Sequence, residues 1–317
     1  MRIDPAIAAL RADRGLQRQA QAATIAGFAA WRDEPGARAA LAELAQFGQG
    51  APLERCPALE ALVTGPDAGG ELAQALCRAL ATTLAQQPFG HPPLRHGFDG
   101  AVSTLQVAHA GRAHLVLHAR ESGVYSFTRA AFSDALRFEA VLAGSAEARI
   151  VRRGAGGLSF ETLALTAGTR LALDLASEAL QAVAVSRRLV SLRLHRFAAE
   201  PEPTHEYSLA DGALAHRSSG NLAASRHAMI VAVLGRMERA EAAPVLAAIA
   251  REPGETSLRW EALREGLALD TAQGFAALLA VARQAGDPLS AAAGALRAQL
   301  IETHPQLAAL EEPPCPA

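Results

Sequence analysis

The chain has 317 residues, in which 30 basic side chains face 32 acidic ones for a net charge of −2. That length exceeds one ordinary core, and a hydrophobic share of 50% excludes a disordered chain and points to two or three folded domains. Lysine is absent and Asn221 is the only asparagine, a bacterial-like GC-rich composition; with acids in slight excess and no basic stripe, nucleic-acid binding is not expected.

Cys56, Cys77 and Cys315 form no CxxC pair and no Cys/His cluster, which argues against a disulfide framework or zinc finger and fits a reducing compartment. The start, Met1 to Pro5, lacks the apolar run of a signal peptide, and no stretch reaches the length of a membrane span. A cytoplasmic chain without membrane insertion is expected.

Residues 1–90 read as a helical N-terminal region. Ile3, Ile7 and Leu10 recur at helical spacing, followed by Ile25, Phe28 and Trp31, then Leu41 with Leu44. Leu72, Leu76, Leu80 and Leu84 mark one face of a further helix, and Cys77 beside them is expected to be buried. The run Gln86 to Asp99 carries four Gly or Pro breakers before Gly97 and reads as a domain boundary.

Residues 100–200 change to alternating segments separated by Gly, Ser and Asp. Leu171, Leu173 and Leu175 alternate with Arg170, Ala172 and Asp174, and Val190, Leu192 and Leu194 alternate with Ser191, Arg193 and His195. Strand geometry gives each segment one core face and one wetter face, and about eight such strands predict an antiparallel sandwich or jelly roll.

Glu200 to Pro203 forms a second Pro-rich link, with His205 and His216 read as loop residues beyond it. Residues 221–312 return to helical periodicity. Ile230, Leu263 and Leu296 lie 33 residues apart, as do Leu234, Leu267 and Leu300, and Val245-Leu246 recurs as Leu278-Leu279. Leu234-Gly235-Arg236, Glu241 to Leu246 and Leu258 to Leu263 resemble the short HEAT-like repeats named for phycobilisome lyases. In the third copy Ala292 replaces the repeated arginine (Arg226, Arg259), and its second helix, near Gln306 to Leu310, is truncated as a terminal cap would be. The whole predicts an α+β multidomain chain: N-terminal helices, a central antiparallel β-sandwich, and C-terminal α-helical repeats.

The most chemical stretch is Gly111 to Glu121. His114 and His118 share a strand face with Val116 between them, so a curved strand bringing them to Glu121 would suit Fe(II), Mn(II) or Zn(II). Leu165 to Leu173 resembles the turn and strand before the last metal histidine of the cupin barrel. Three residues separate the two histidines where that family has one, and Glu178 to Val183 holds no histidine. The resemblance implies a cupin-like β-sandwich lacking the usual metal motifs, so structural histidines and no cofactor are the expectation. Neither Glu121-Ser122-Gly123 nor Arg217-Ser218-Ser219-Gly220 has the setting of a nucleophile elbow, and no phosphate-binding glycine loop occurs.

These readings support two functions. The first is a non-catalytic scaffold that holds a protein or peptide partner on the repeat surface, with Arg226, Arg259, Arg264 and Arg297 as candidate binding residues and a β domain that takes a ligand or pairs with its own copy as a homodimer. The alternative is a cupin-like metal-dependent oxygenase or hydroxylase using His114, His118 and Glu121 on a peptide or carrier-bound substrate.

Overall fold

The computed structural model describes residues 14–310, so the spacing of Ile3, Ile7 and Leu10 and the thiol of Cys315 lie outside the described residues. The fold is α+β, and the chain divides into two compact units after Arg217.

The first unit opens with helices α1 (Gly15–Asp33), α2 (Pro35–Gln49), α3 (Pro57–Thr64) and α4 (Ala68–Gln86). Pro35 and Pro57 each sit at a helix start, where the missing N–H has no partner to lose and φ is already helical. α2 ends at Gly50, whose left-handed φ of 118° lets its amide reach the Phe47 carbonyl at 3.1 Å. Leu72, Leu76 and Leu80 of α4 are buried as their spacing predicts. Cys77 is exposed instead, because one further residue turns about 100° out of that stripe. The buried thiol is Cys56.

The strands are β1 (Arg95–Phe98), β2 (Val102–Ala110), β3 (Ala113–Arg120), β4 (Gly123–Val124), β5 (Arg129–Phe132), β6 (Ala135–Gly154), β7 (Gly157–Thr166), β8 (Arg170–Asp174), β9 (Glu178–Phe197), β10 (Thr204–Ser208) and β11 (Leu214–Ser218). An eight-stranded sheet runs β1-β2-β3-β9-β6-β7, with β4 on β9 and β8 on β6, and a three-stranded sheet runs β11-β10-β5. His205 and His216 therefore lie on strands rather than in a loop. β6 and β9 pair antiparallel along most of their length, with register shifts between Val141 and Ala148. There Gly144 has φ 89°, and a Cβ would stand 2.0 Å from the Arg188 carbonyl oxygen, so the bend requires glycine.

Alternation puts Leu115 and Leu117 of β3 and Leu192 and Leu194 of β9 on one face, and Leu44, Phe47, Leu59 and Leu76 of the helices close over them in a single core. Gln86 to Asp99, expected to separate one domain from the next, thus connects two layers of one unit. Arginines tie the layers: Arg196 donates to the Ala51 carbonyl at 2.7 Å and lies 4.3 Å from the Phe47 ring centre. Arg170 donates to the Gly65 and Pro66 carbonyls, each at 2.9 Å.

The second unit is helical: α5 (Leu222–Arg236), α6 (Ala243–Arg251), α7 (Thr256–Leu269), α8 (Thr271–Arg283) and α9 (Ser290–Thr303), with a closing 3-10 turn at Pro305–Leu310. Asn221 starts α5 by accepting from the Ala223 and Ala224 amides, and Asp270 starts α8 by accepting from Gln273. Leu263, Phe275, Leu278 and Leu307 anchor its main core. Among the described residues no helix is long and apolar enough to cross a membrane.

Candidate functional site

The residues alternating with the helix-facing leucines form a polar cluster on the opposite face of the same sheet. Register fixes its rows. His114 of β3 stands across from His195 of β9, which stands across from Arg137 of β6. One row on, Val116, Arg193 and Glu139 align, and beyond them His118 aligns with Ser191. Sequence reading assigned Ser191, Arg193 and His195 to a wetter face; the fold encloses them.

Glu139 is the centre, with no exposed surface. Ser191 Oγ donates to its Oε1 at 2.6 Å, Arg193 Nε lies 2.9 Å from the same oxygen, and Arg137 Nε lies 3.4 Å from Oε2. The two arginine approaches are ion pairs off the N–H axis. Arg137 Nε and Nη2, Arg193 Nε, Glu139 Oε2 and His118 Nδ1 are all buried without a directed hydrogen bond in the protein.

Burial pushes the Glu139 carboxyl up, but the charges of Arg193 and Arg137 and the Ser191 hydrogen bond outweigh it and hold the pKa at about 2. Desolvation, with Arg193 next, lowers His118 to about 3; desolvation, with Arg137 next, lowers His195 to about 3. Desolvation lowers Arg137 to about 10, which leaves it charged at neutral pH. The cluster therefore carries two cations, one anion and neutral imidazoles. Arg120, 4.6 Å from the Tyr125 ring centre, adds a third guanidinium that depresses His118.

His114 and His118 do share a face, but they stay four residues apart along an extended strand, and the His114 ring packs edge-on against His109 at 4.5 Å. Glu121 lies beyond β3, paired with Arg188 at 2.9 Å. Those three residues are not gathered, and among the described residues no three His, Cys, Asp or Glu side chains are placed to hold a metal ion.

Of the four arginines expected on a binding surface, Arg226 and Arg264 are exposed and Arg297 is half-buried. Arg259 is buried and committed to an ion pair with Asp287 inside the helical unit. Sequence reading missed Arg137 and Glu139; the local signal was an arginine and an acid two residues apart on β6, which strand spacing puts on one face.

No family model and no curated protein matches the chain. Among solved structures it is similar to ectoine synthase from P. lautus (15% identity, 32% of this chain, 67% of that chain, TM-score 0.24). It is similar also to KdgF from Halomonas sp. (16%, 33% of this chain, 88% of that chain, TM-score 0.26) and to the 7S globulin of Momordica charantia (12%, 38% of this chain, TM-score 0.29). The chain spans 36% of the globulin's length. Each likeness covers about a third of the chain, and at these TM-scores none bears on function.

Proposed function

We propose that the chain is a non-catalytic interaction protein that receives an amphipathic helix of a protein partner on α5 and α6. One observation carries this reading. Ile230 and Leu263 are equivalent in the 33-residue spacing, yet Ile230 is 53% exposed and Leu263 is 1% exposed. Val245 and Leu278 repeat the contrast at 60% and 0%.

Reading these helices as HEAT-like repeats explains the contrast: α7 and α8 are covered by neighbours, whereas α5, first in the helical unit, has no preceding pair within that unit and keeps Met229, Ile230, Val233 and Met237 exposed. A helix occupying the place of that absent neighbour would bury the same positions that Leu263 and Leu278 bury. The groove between α5 and α6, about 330 Å³ and floored by Val231, Leu246 and Ile249, is sized for anchoring side chains rather than a large cofactor. Glu252 on its rim favours a basic flank on the incoming helix.

The test is a photo-crosslinker at Val233 in the source cells, with the joined residues mapped by mass spectrometry. A crosslink to an amphipathic helix of another protein, abolished by Ile230→Asp, is expected. Crosslinks to a second copy of this chain, or none, would reject the reading.

A further inference from the structure

We propose that the polar cluster of the β unit is a binding site for a small oxyanion, carboxylate or phosphate, held between Arg137 and Arg193 with His118 as a third contact. This site is in the first unit and stands apart from the helical reading above.

The charge balance points there first. Arg137 and Arg193 share the single carboxylate of Glu139, and both guanidinium groups are mostly enclosed, with side chains 11% and 18% exposed. A buried surplus of positive charge is costly unless an anion accompanies it. Nearby histidines do not relieve it, since they are neutral, and Arg120 adds to it. Ser191 is already used on Glu139.

The unpaired donors point the same way. Arg137 keeps Nη2 and buried His118 keeps Nδ1 without a partner, and Arg193, whose Nε faces Glu139, lies on the strand between them. These atoms sit on three adjacent strands in neighbouring register rows, so they bound one patch of the sheet face. Planar guanidinium groups match the paired oxygens of a carboxylate or phosphate. Glu139 then acts as the fixed carboxylate that keeps both guanidinium groups aimed, and the ligand supplies the second negative charge. His114, half-buried against Phe197 and His109, lies at the edge of the same face and bounds the ligand there.

The probes are acetate, malonate and inorganic phosphate, titrated into the full chain at constant ionic strength with chloride as the control, reading melting temperature and the His118 ring resonances. A saturable rise with a carboxylate, with His118 shifted, is the expected result; the same response to phosphate alone supports the site and assigns its source to phosphate chemistry. Arg193→Gln should weaken the response at least tenfold. If Arg193→Gln does not fold, the wild-type His118 shift decides. No saturable response to any probe, or an undiminished one in folded Arg193→Gln, overturns the proposal.

Discussion

Arg259 and Asp287 form a buried two-point ion pair, Nη2 to Oδ2 at 2.5 Å and Nη1 to Oδ1 at 3.3 Å. Arg259 Nε also donates to the Ala250 carbonyl at the end of α6, and Asp287 Oδ1 accepts from the Leu289 amide. One arginine on α7 thus closes the end of α6 and fixes the turn before α9.

Breaking this pair strands a charge in the interior. Asp287→Asn or Arg259→Met should each destabilise the helical unit by about 3 to 5 kcal/mol, read as faster amide exchange in α6 to α9 by mass spectrometry while the β unit is unchanged. The Arg259 hydrogen bonds hold the Asp287 carboxyl below its ordinary range. A depressed carboxyl stabilises above its unfolded pKa and loses that contribution as pH falls through the folded one, so this unit should weaken only in acid below about pH 4.

The β unit should respond to acid earlier. His118 and His195, each lowered to about 3, are neutral when folded and bind protons when unfolded from about pH 6.5 downward. Stability is full above that pH and falls below it, at up to about 1.4 kcal/mol per pH unit for each histidine. Glu139 adds its own loss only as pH falls toward its value of about 2. Urea unfolding followed by Trp31 fluorescence in a Trp260→Phe background, at pH 7, 6 and 5, should show this slope. His118→Gln should lower it by up to about 1.4 kcal/mol per pH unit; an unchanged slope would mean that His118 is not the neutral buried group.

Gly144 carries the bend of β6. Alanine there meets both a positive φ and the Arg188 carbonyl oxygen at 2.0 Å. Gly144→Ala should cost about 2 kcal/mol or more, lowering the melting temperature of the β unit by at least about 4 °C. Gly154, whose added Cβ would meet nothing, is the control and should tolerate alanine with little change.

Periodicity made the elements legible. The stripe of α4, the alternation of β9 and the 33-residue spacing all predicted secondary structure and, for most leucines, which face is covered. Alternation says only that two faces differ, however, and not that the polar one faces solvent. Ser191 and Glu139 are 52 residues apart and meet through strand pairing, which no local pattern encodes. Arg259 looked like a surface residue because its partner, Asp287, lies 28 residues away in an irregular turn. The domain boundary at Gln86 to Asp99 was misread for a related reason: prolines mark where a helix ends, not whether the helix packs on the strands after it.

The same limit gives the sharpest mutational contrast. Leu263 fills a core, so Leu263→Ala should remove about 2 to 5 kcal/mol from the helical unit. Ile230, 33 residues earlier in the chain, is 53% exposed, and surface substitutions away from special features fall within about 0.5 kcal/mol. Ile230→Asp should therefore leave the isolated protein's stability within that range, measured by urea unfolding followed by Trp260 fluorescence. A loss comparable to that of Leu263→Ala would mean that Ile230 is already covered in the free protein, by another segment of this chain or by a second copy. In that case α5 offers no free face to a partner, because the energy of covering it is spent before any partner arrives. A small effect in the free protein together with loss of crosslinking at Val233 assigns the cost to binding, which is where an uncovered apolar position should show it.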